Sequence, residues 1–377
     1  MPTWRAFNRA VYSCGLYEAQ DVLVDTADVE LLRMTARSGL RWRENLQRHL
    51  LYKDPSNHLM FMNPGLERVR VTKDYDLFIV VCQTYWDLLY VNAIDGWKDR
   101  CAKSLCWIDE LWAASAPRYK NWLRALEQFD VVCIGSLSSV PALTSAIGRD
   151  SHWVAGGVDA LRFTPFPNPP PRVVDVYSIG RRWDGMHRAL LQLASDRKIF
   201  YMYDSLDNLA NMRPFDHAQH RDLYANVAKR SRYYLVAPAK MNLPKDTEGQ
   251  CEIGYRYFDG AAAGTVMIGQ PARSQSFDVM FGWPDSVIET RIEGTDILDV
   301  LFELSRDPER TEAIRHRNAT ESLLRHDWVY RWKRLFELAG VQPSGGMQAR
   351  EKVLTNLAAS DKAATKTARP AAFTESI

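Results

Sequence analysis

The chain has 377 residues, of which 46% are apolar and 25% are charged. A chain of this length is predicted to form about two globular domains, and its composition excludes collagen-like and coiled-coil structures. Its 48 basic and 46 acidic residues leave a formal net charge of +2. Because this charge is too small to steer the whole molecule onto nucleic acid or an anionic bilayer, any anion must be bound by a local group of residues.

Neither a membrane span nor a secretory leader is predicted. The longest apolar run near the N-terminus, at 77–82, has six residues. A membrane span needs about 20 apolar residues, and the apolar core of a signal peptide needs at least about 7. The six cysteines are scattered and lack the paired spacing of a zinc site. We therefore expect free buried thiols, a cytoplasmic protein and no bound metal.

Short apolar segments alternate with longer segments of helical period in the first part of the chain. The predicted strands are 77–82, 104–108 and 131–134, and a helix is predicted over 112–129. This alternation is typical of βα units around a parallel sheet, so the first domain is predicted to be Rossmann-like. Five prolines occur within 163–171, which excludes a helix or a central strand there and indicates a domain boundary.

The alternation restarts after the prolines and predicts a second doubly wound domain. Strands are expected at 173–179, 199–203, 233–237 and 265–268, and helices at 187–194, 221–229, 257–263 and 297–304. Residues 313–339 carry apolar positions at helical spacing, and two tryptophans there either brace the first domain or complete the second domain's core. The predicted domains are 1–160 and 161–340, followed by a flexible tail at 341–377 that is rich in Ala, Lys, Thr and Ser.

Residues 254–264 combine one guanidinium and one carboxylate with a run of very small residues, Gly-Tyr-Arg-Tyr-Phe-Asp-Gly-Ala-Ala-Ala-Gly. Small residues let a helix N-terminus approach a ligand closely, and a helix start near Arg256 is suited to phosphate. Asp259 is suited to ribose hydroxyls. The alternative is an Ala-rich helix packed on a sheet, in which Arg256 and Asp259 only cap and pair.

Two further segments lie where predicted strands end, which is the edge at which open α/β sheets bind ligands. In the first, Gly180, Arg181 and Arg182 form a second candidate anion site, unless the arginines are merely solvated. In the second, Asp109 and Glu110 stand between Trp107 and Trp112. Carboxylates beside aromatic faces suit a sugar, although Asp109 could instead cap a helix.

Several segments resemble glycosyltransferase motifs and occur in the same order as in those enzymes. Gly-Val-Asp-Ala-Leu-Arg-Phe-Thr-Pro at 157–165 resembles the passage between the domains of GT-B glycosyltransferases, and 177–181 resembles the first strand and phosphate-facing loop of their second domain. Residues 255–264 and 326–331 resemble an Arg-x-Phe-Glu-x-x-Ala-x-Gly string and the closing segment of the spore maturation CgeB-like glycosyltransferase family. The resemblance covers about residues 75–340.

The resemblance implies a GT-B architecture, with two Rossmann-like domains facing each other across a cleft. It implies transfer of a sugar from a nucleoside diphosphate sugar, held by the second domain, to a carbohydrate or other cell-envelope or secondary-metabolite acceptor. Arg181 would bind the diphosphate, Arg256 would do likewise or shape the pocket, and Asp259 would bind the ribose. The implied donor-binding residues are Gly180, Arg181, Arg182, Gly254, Tyr255, Arg256, Tyr257 and Asp259.

The resemblance also implies that no cofactor or metal is needed beyond the nucleotide sugar, because arginines and a helix N-terminus can stabilise the leaving diphosphate. No nucleic-acid partner is expected, and peripheral association with a membrane stays open. The related two-glutamate motif of many retaining enzymes is altered, since Cys251 takes the first position with Glu252 beside it, and the shorter Asp259 takes the second. The stereochemical course is therefore open.

An inverting reaction needs a carboxylate or histidine of the first domain to take the acceptor proton, and a retaining one does not. Asp109 is the first candidate for this base and Glu110 the second. Two other functions remain open: a nucleotide-sugar epimerase of the same fold, and a non-catalytic protein that binds nucleotide sugars or glycans. An epimerase would convert the donor without an acceptor, whereas a binding protein would neither convert nor hydrolyse it.

Overall fold

The structure is a computed structural model that describes residues 1–51, 58–205 and 213–365, with side chains described up to residue 359. Two parallel sheets, of four and five strands, confirm the predicted α/β fold with two Rossmann-like domains. The first domain contains β1 (Pro2–Thr3), α1 (Cys14–Thr26), β2 (Leu32–Arg33), α2 (Leu40–Leu51), β3 (Val69–Arg70), β4 (Tyr75–Thr84), β5 (Ile94–Asp95), α3 (Trp97–Arg100), β6 (Cys101–Glu110), α4 (Ser115–Arg118), α5 (Lys120–Leu123), β7 (Val131–Ile134), α6 (Val140–Ile147), β8 (His152–Trp153) and α7 (Ala160–Phe163).

The first sheet has the order β4-β6-β7-β8, and all its neighbouring strands are parallel. Strands β4 and β6 carry continuous, mostly apolar buried runs at 78–82 and 104–108, as expected for a sheet covered on both faces. Two short pairs, β1 with β2 and β3 with β5, lie outside this sheet. Segments of 3₁₀ helix connect these elements at Val11–Ser13, His58–Phe61, Tyr85–Ala93, Arg124–Gln128 and Leu137–Ser139.

The helix predicted over 112–129 is wrong, because the segment forms α4, α5 and a 3₁₀ turn instead. Pro117 explains the late start of α4, because it lies in the first turn, where a proline is tolerated, and it would disrupt a helix that began at Trp112. The backbone leaves the helical region at Tyr119, where φ is −106° and ψ is 20°. Periodicity alone therefore overestimated the length of this helix.

The second domain follows the proline-rich segment, which connects α7 to the first strand of the second sheet. Its order, β10-β9-β11-β12-β13, reverses between β9 and β11, so the ends of these two strands form a topological switch point. The elements are β9 (Val174–Ser178), α8 (Asp184–Ser195), β10 (Tyr201–Tyr203), α9 (His217–Lys229), β11 (Ser231–Val236), α10 (Pro244–Thr247), α11 (Tyr255–Ala262), β12 (Val266–Gly269), α12 (Gln275–Phe281), β13 (Ile288–Glu289), α13 (Ile297–Arg306), α14 (Pro308–Arg325), α15 (Trp328–Ala339) and α16 (Gly345–Thr365).

Helix α15 packs against the first domain, which is one of the two expectations from the sequence. The ring of Trp107 in β6 lies 6.1 Å from that of Trp328 and 6.4 Å from that of Trp332. The Trp332 indole N–H donates to the carbonyl of Ala19 in α1 at 2.7 Å. One apolar core therefore continues from the first domain into the second.

The flexible tail expected at 341–377 is wrong for its first part, because α16 occupies Gly345–Thr365. Met347, Leu354 and Ala358 are buried at helical spacing, and the Lys333 ammonium lies 2.6 Å from the Glu351 carboxylate. The helix is also held by Arg350, whose guanidinium lies 2.8 Å from the Asp327 carboxylate. Residues 366–377 lie outside the described part of the chain.

The described helices include none that is long and apolar enough to cross a membrane. All six cysteines are free thiols, and four of them are buried.

Candidate active site

A cavity of about 1210 Å³ lies between the two domains. It exceeds the roughly 300–1,000 Å³ of common small-molecule sites, so it offers room for two substrates. Both sheets point the carboxyl ends of their strands toward it, which is the edge where open α/β sheets bind ligands. Its lining includes Gln83, Asp109, Glu110, Gly135 and Ser136 from the first domain, and Gly180, Arg181, Lys240, Glu252, Gly254, Tyr255, Arg256 and Asp259 from the second.

The loop after β9 brings one of the two predicted arginines to the cavity and holds the other away. Gly180 has a φ of +75° and donates its N–H to Asp204 at 3.0 Å, which fixes the turn. Arg182 pairs with the same carboxylate at 2.6 Å and does not line the cavity. Arg181 lines the cavity, and within the described residues its buried Nη1 has no hydrogen-bond partner.

Helix α11 begins at the cavity, as its small residues predicted. Gly254 is the N-cap residue and lines the cavity together with the first turn of the helix. The glycine at 260 lets the helix lie close to the sheet, because a Cβ there would be only 2.9 Å from the ring of Tyr234. The N-terminus of α11 thus presents free backbone N–H groups to the cavity, where they favour an anion.

Arg256 supports the loops around the cavity. Its guanidinium donates to the backbone carbonyls of Ile179 at 3.3 Å and of Ala237 at 3.5 Å, and also to that of Arg181. These carbonyls follow β9 and β11, so Arg256 connects both sides of the switch point. These contacts agree with the alternative in which Arg256 shapes the pocket. Its guanidinium is bonded to backbone carbonyls and does not pair with Glu252 or Asp259.

Tyr257 belongs to the core, so its assignment to donor binding is wrong. Its side chain is fully buried, its hydroxyl donates to the carbonyl of Gln270, and it does not line the cavity. Residues two apart on a helix point in nearly opposite directions, which is why Tyr255 faces the cavity and Tyr257 faces away.

Asp259 is part of a buried charge cluster. It is 2% exposed, its Oδ1 accepts from Arg221 at 2.7 Å, and its Oδ2 accepts from the Tyr224 hydroxyl at 3.1 Å. The same Arg221 nitrogen lies 2.7 Å from the carboxylate of Glu18 in α1. Burial alone would lower the pKa of Arg221, but the carboxylates of Asp259 and Glu18 raise it well above its usual value. A ribose contact by Asp259 stays a prediction. In the structure Asp259 forms a buried ion pair with Arg221.

On the first-domain side, Asp109 lies at the end of β6 and contacts the second domain directly. Its Oδ1 accepts from the Tyr255 hydroxyl at 2.6 Å, and its Oδ2 accepts from the Gln83 amide at 2.8 Å. Burial raises the pKa of Asp109 to about 7, although these two hydrogen bonds act in the opposite direction. A carboxyl with this pKa exchanges protons near neutral pH, as a general base must.

Gly156 makes room for the Tyr255 ring, and Gly15 lies beside it. A Cβ on Gly156 would lie 3.2 Å from a ring carbon, and one on Gly15 would lie 3.6 Å from another. The ring therefore inserts into a slot of the first domain, and its hydroxyl reaches Asp109. Neither Tyr255's role at this interface nor the slot was predicted from the sequence.

Glu110 is less available than Asp109. Its carboxylate lies 2.6 Å from the Lys240 ammonium of the second domain and accepts from the Trp112 indole at 2.9 Å. The Gln250 amide also crosses the cleft, since its oxygen accepts from the N–H of Ala113 at 2.8 Å and its nitrogen lies 2.9 Å from Ser136 Oγ. Several polar contacts thus join the domains around the cavity.

Sequence analysis missed Glu18 and Arg221. The two residues are 203 positions apart, and only the packing of α1 against α9 brings them together. The available signal was an arginine at the start of the predicted helix 221–229, which by itself does not distinguish a buried side chain from a solvated one. Within the described residues, no three His, Cys, Asp or Glu side chains come together as a metal site would require.

The comparisons with known proteins agree with this geometry. Residues 171–337 match a family model described as Glycosyl transferase-like, which covers the second domain. The search of curated proteins found no match.

Solved structures match over most of the chain. One is an alpha-glucosyltransferase in complex with UDP and a 13-mer DNA containing a HMU base, with 12% identity, a TM-score of 0.53 and coverage of 90% of this chain and 98% of that chain. A second alpha-glucosyltransferase complex, with UDP-glucose and DNA containing an abasic site, has 11% identity, a TM-score of 0.50 and coverage of 89% and 97%. Identities this low establish the fold alone. The chain therefore has the GT-B architecture, and its second domain is similar to glycosyltransferases.

Proposed function

We propose that this protein is a GT-B glycosyltransferase that moves a sugar from a nucleoside diphosphate sugar to a carbohydrate or other acceptor. One observation carries the proposal: a single cavity has anion-binding groups on its second-domain wall and a carboxyl with a pKa of about 7 on its first-domain wall. The family match of residues 171–337 supports the same function. Membership in the CgeB-like family is the finer form of this proposal.

The diphosphate of the donor would lie between Arg181 and the N-terminus of α11. Arg181 supports this assignment because its Nη1 is buried without a partner among the described residues, a state that costs free energy unless a ligand fills it. Arg256 would act indirectly, by holding the carbonyls that shape both loops. These cationic groups would stabilise the negative charge on the leaving diphosphate, so we propose that the reaction needs no metal.

Asp109 would take the proton of the acceptor hydroxyl. That oxygen then forms a bond to the anomeric carbon of the donor while the bond from this carbon to the diphosphate oxygen breaks. The diphosphate leaves with the bonding electron pair, and the proton stays on Asp109. Attack opposite to the leaving group inverts the anomeric centre, so this role predicts an inverted product.

The acceptor half of the cavity is rich in aromatic side chains, which supports a carbohydrate acceptor. Aromatic faces stack against the C–H face of a sugar, while nearby carboxylate and amide oxygens accept hydrogen bonds from its hydroxyl groups. The aromatic residues of the first domain that line the cavity are Phe7, Tyr12, Trp86, Tyr90, Trp112 and Trp153.

A thermal-shift screen against a panel of nucleoside diphosphate sugars tests the proposal, because binding to the folded state raises the melting temperature. The stabilising donors are then incubated with and without a panel of glycans. We expect transfer that depends on the acceptor. Conversion of the donor alone to another sugar would show an epimerase, and stabilisation without transfer or hydrolysis would show a binding protein.

Arg181→Gln is the informative variant, and Arg188→Gln on the exposed side of α8 is its matched control. A charge-assisted contact with phosphate contributes about 1.5–3 kcal/mol, so Arg181→Gln should weaken donor binding about 10- to 150-fold. The control should bind like the wild type. Equal affinities for both variants would overturn the donor pose.

A further inference from the structure

We propose that the outer face of α2, together with Phe61 and Met62, binds an anionic lipid surface. The face consists of Trp42, Leu46, Leu50, Phe61 and Met62, which are 68%, 42%, 39%, 42% and 55% exposed. Large apolar side chains are common singly on protein surfaces, but a group of five within one short stretch marks an interaction site. The proposal does not depend on the reaction that the cavity performs.

The outer face is a consequence of helical spacing. Trp42, Leu46 and Leu50 are four residues apart and therefore form one stripe along α2. The buried side chains of the helix, among them Leu40 and Leu51, lie on a different side. Helix α2 thus has one apolar side for the protein core and a second one that the described residues leave exposed.

The 3₁₀ turn His58–Phe61 and the following Met62 are joined to α2 by Gln47. The Gln47 amide nitrogen lies 2.6 Å from the carbonyl of Leu59 and 2.9 Å from that of Met62. These contacts hold the 3₁₀ turn His58–Phe61 against α2 on the side of Gln47, so the exposed Phe61 and Met62 lie next to the helix.

The charge around this face indicates an anionic partner. Residues 31–51 contain five arginines and a single acidic residue, Glu44, whose side chain is buried. This stretch therefore exposes strong positive charge, whereas the whole chain has a net charge of only +2. Arg33, Arg37 and Arg41 are exposed. Basic residues beside an apolar stripe containing Trp and Leu are typical of helices that lie on anionic membranes.

A nucleic acid fits this face less well. Phosphates would be bound by the arginines, but exposed Leu and Met side chains contribute little to binding a phosphate backbone. In contrast, Trp is enriched at the membrane interface, and the leucines would leave water for the acyl boundary. The apolar stripe thus favours lipid over nucleic acid.

The position of α2 gives the lipid surface a functional consequence. Other side chains of the helix line the cavity, namely Leu40, Arg41, Glu44 and Arg48, so Arg41 is both exposed and at the cavity. A helix with its side chains is about 10–12 Å wide. Lipid headgroups on the outer face would therefore lie about one helix diameter from the cavity, close enough to present a membrane-bound acceptor to it.

Flotation of the full chain with vesicles tests the proposal. The probes are vesicles of phosphatidylcholine, vesicles of phosphatidylcholine with phosphatidylglycerol, and duplex DNA at the same phosphate concentration. We expect binding to the mixed vesicles at low salt, weaker binding at high salt, and little binding to phosphatidylcholine alone.

Two double variants distinguish binding through the apolar stripe of α2 from non-specific binding through any exposed apolar side chain. Trp42→Ser with Leu46→Ser removes two exposed side chains of α2, and Leu298→Ser with Phe302→Ser removes two side chains with the same spacing and similar exposure on α13. The first should lower vesicle binding about tenfold or more, and the second should leave it unchanged. Arg33→Gln with Arg37→Gln should lower it roughly 10- to 30-fold.

Each other outcome overturns the proposal. Absence of binding to the mixed vesicles would exclude a lipid-binding face, and equal losses in both serine variants would exclude α2 as its location. Binding to duplex DNA in place of vesicles, lost in the α2 variant, would assign the face to nucleic acid. A change from dimer to monomer in the same variant would show that a second copy of the chain covers it.

Discussion

Tyr255→Phe should move the pH dependence of the reaction. The Tyr255 hydroxyl donates to Asp109 at 2.6 Å, and this hydrogen bond favours the charged carboxylate, so it lowers a pKa that burial has raised to about 7. The variant keeps the ring in its slot between Gly15 and Gly156 and removes only the donor. The pKa of Asp109 should therefore rise further.

The size of the shift follows from the strength of one hydrogen bond to a charged group. Such a bond contributes about 1.5–3 kcal/mol, and about 1.4 kcal/mol corresponds to one pH unit. Because Asp109 is only half-buried, water can replace part of the lost bond. We therefore expect an upward shift of about one pH unit, to about 8.

The sign follows from the role of Asp109 as a base. Its charged form is the active one, so kcat/KM is high above the pKa and falls as the pH decreases through it. In the variant this fall should begin at higher pH. The loss of activity should therefore be larger at neutral pH than at alkaline pH.

The assay is kcat/KM for sugar transfer measured across this pH range. Tyr257→Phe is the matched control, because it removes a hydroxyl from the same helix that donates to Gln270 in the core and not to Asp109. The decrease of its kcat/KM toward acidic pH should coincide with that of the wild type. An unchanged decrease in Tyr255→Phe would refute the role of Asp109 as the titrating base.

Four further results are expected. Asp259→Asn should lower the free energy of unfolding by about 3 kcal/mol in a urea titration, because it leaves Arg221 with one buried carboxylate in place of two; a loss below about 1 kcal/mol would show that the cluster is not a buried ion pair. Arg256→Ala should weaken nucleoside diphosphate binding about tenfold in calorimetry, through the loops that it holds. Transfer should persist in a chelating buffer, and its loss would reveal a required metal. Small-angle scattering should show a smaller radius of gyration with donor nucleotide, whereas an unchanged value at saturation would indicate a preformed cleft.

The sheets could be predicted because their strands are continuous apolar runs. Val131–Ile134 has the same bounds in the sequence prediction and in the structure, and the proline-rich segment lies between the two sheets as expected. Helix lengths were less predictable, since apolar periodicity does not record the late start at Pro117 or the break at Tyr119. The segment at 345–359 was misassigned because its three buried residues are widely spaced among polar and small ones.

The site was predictable where it follows from strand ends. Asp109 directly follows the predicted strand 104–108, Arg181 lies two residues after the predicted strand 173–179, and both line the cavity. Partners distant in the chain could not be predicted. The hydroxyl that donates to Asp109 belongs to Tyr255, which is 146 positions away. The second carboxylate that pairs with Arg221 belongs to Glu18 in α1. These contacts depend on how the two domains dock, which local patterns do not encode.

The shared packing of the two domains has a consequence for protein engineering. Exchanging donor domains between related enzymes by cutting at the proline-rich segment would separate Arg221 from Glu18 and would leave the tryptophans of α15 without Trp107 and the backbone of α1. A chimera designed at that junction should therefore carry α1, α15 and α16 together with the domain into which they pack, so that the two ends of the chain are inherited as one unit. The boundary at which domains of this protein can be exchanged therefore follows the surface of the shared core and not the proline-rich linker.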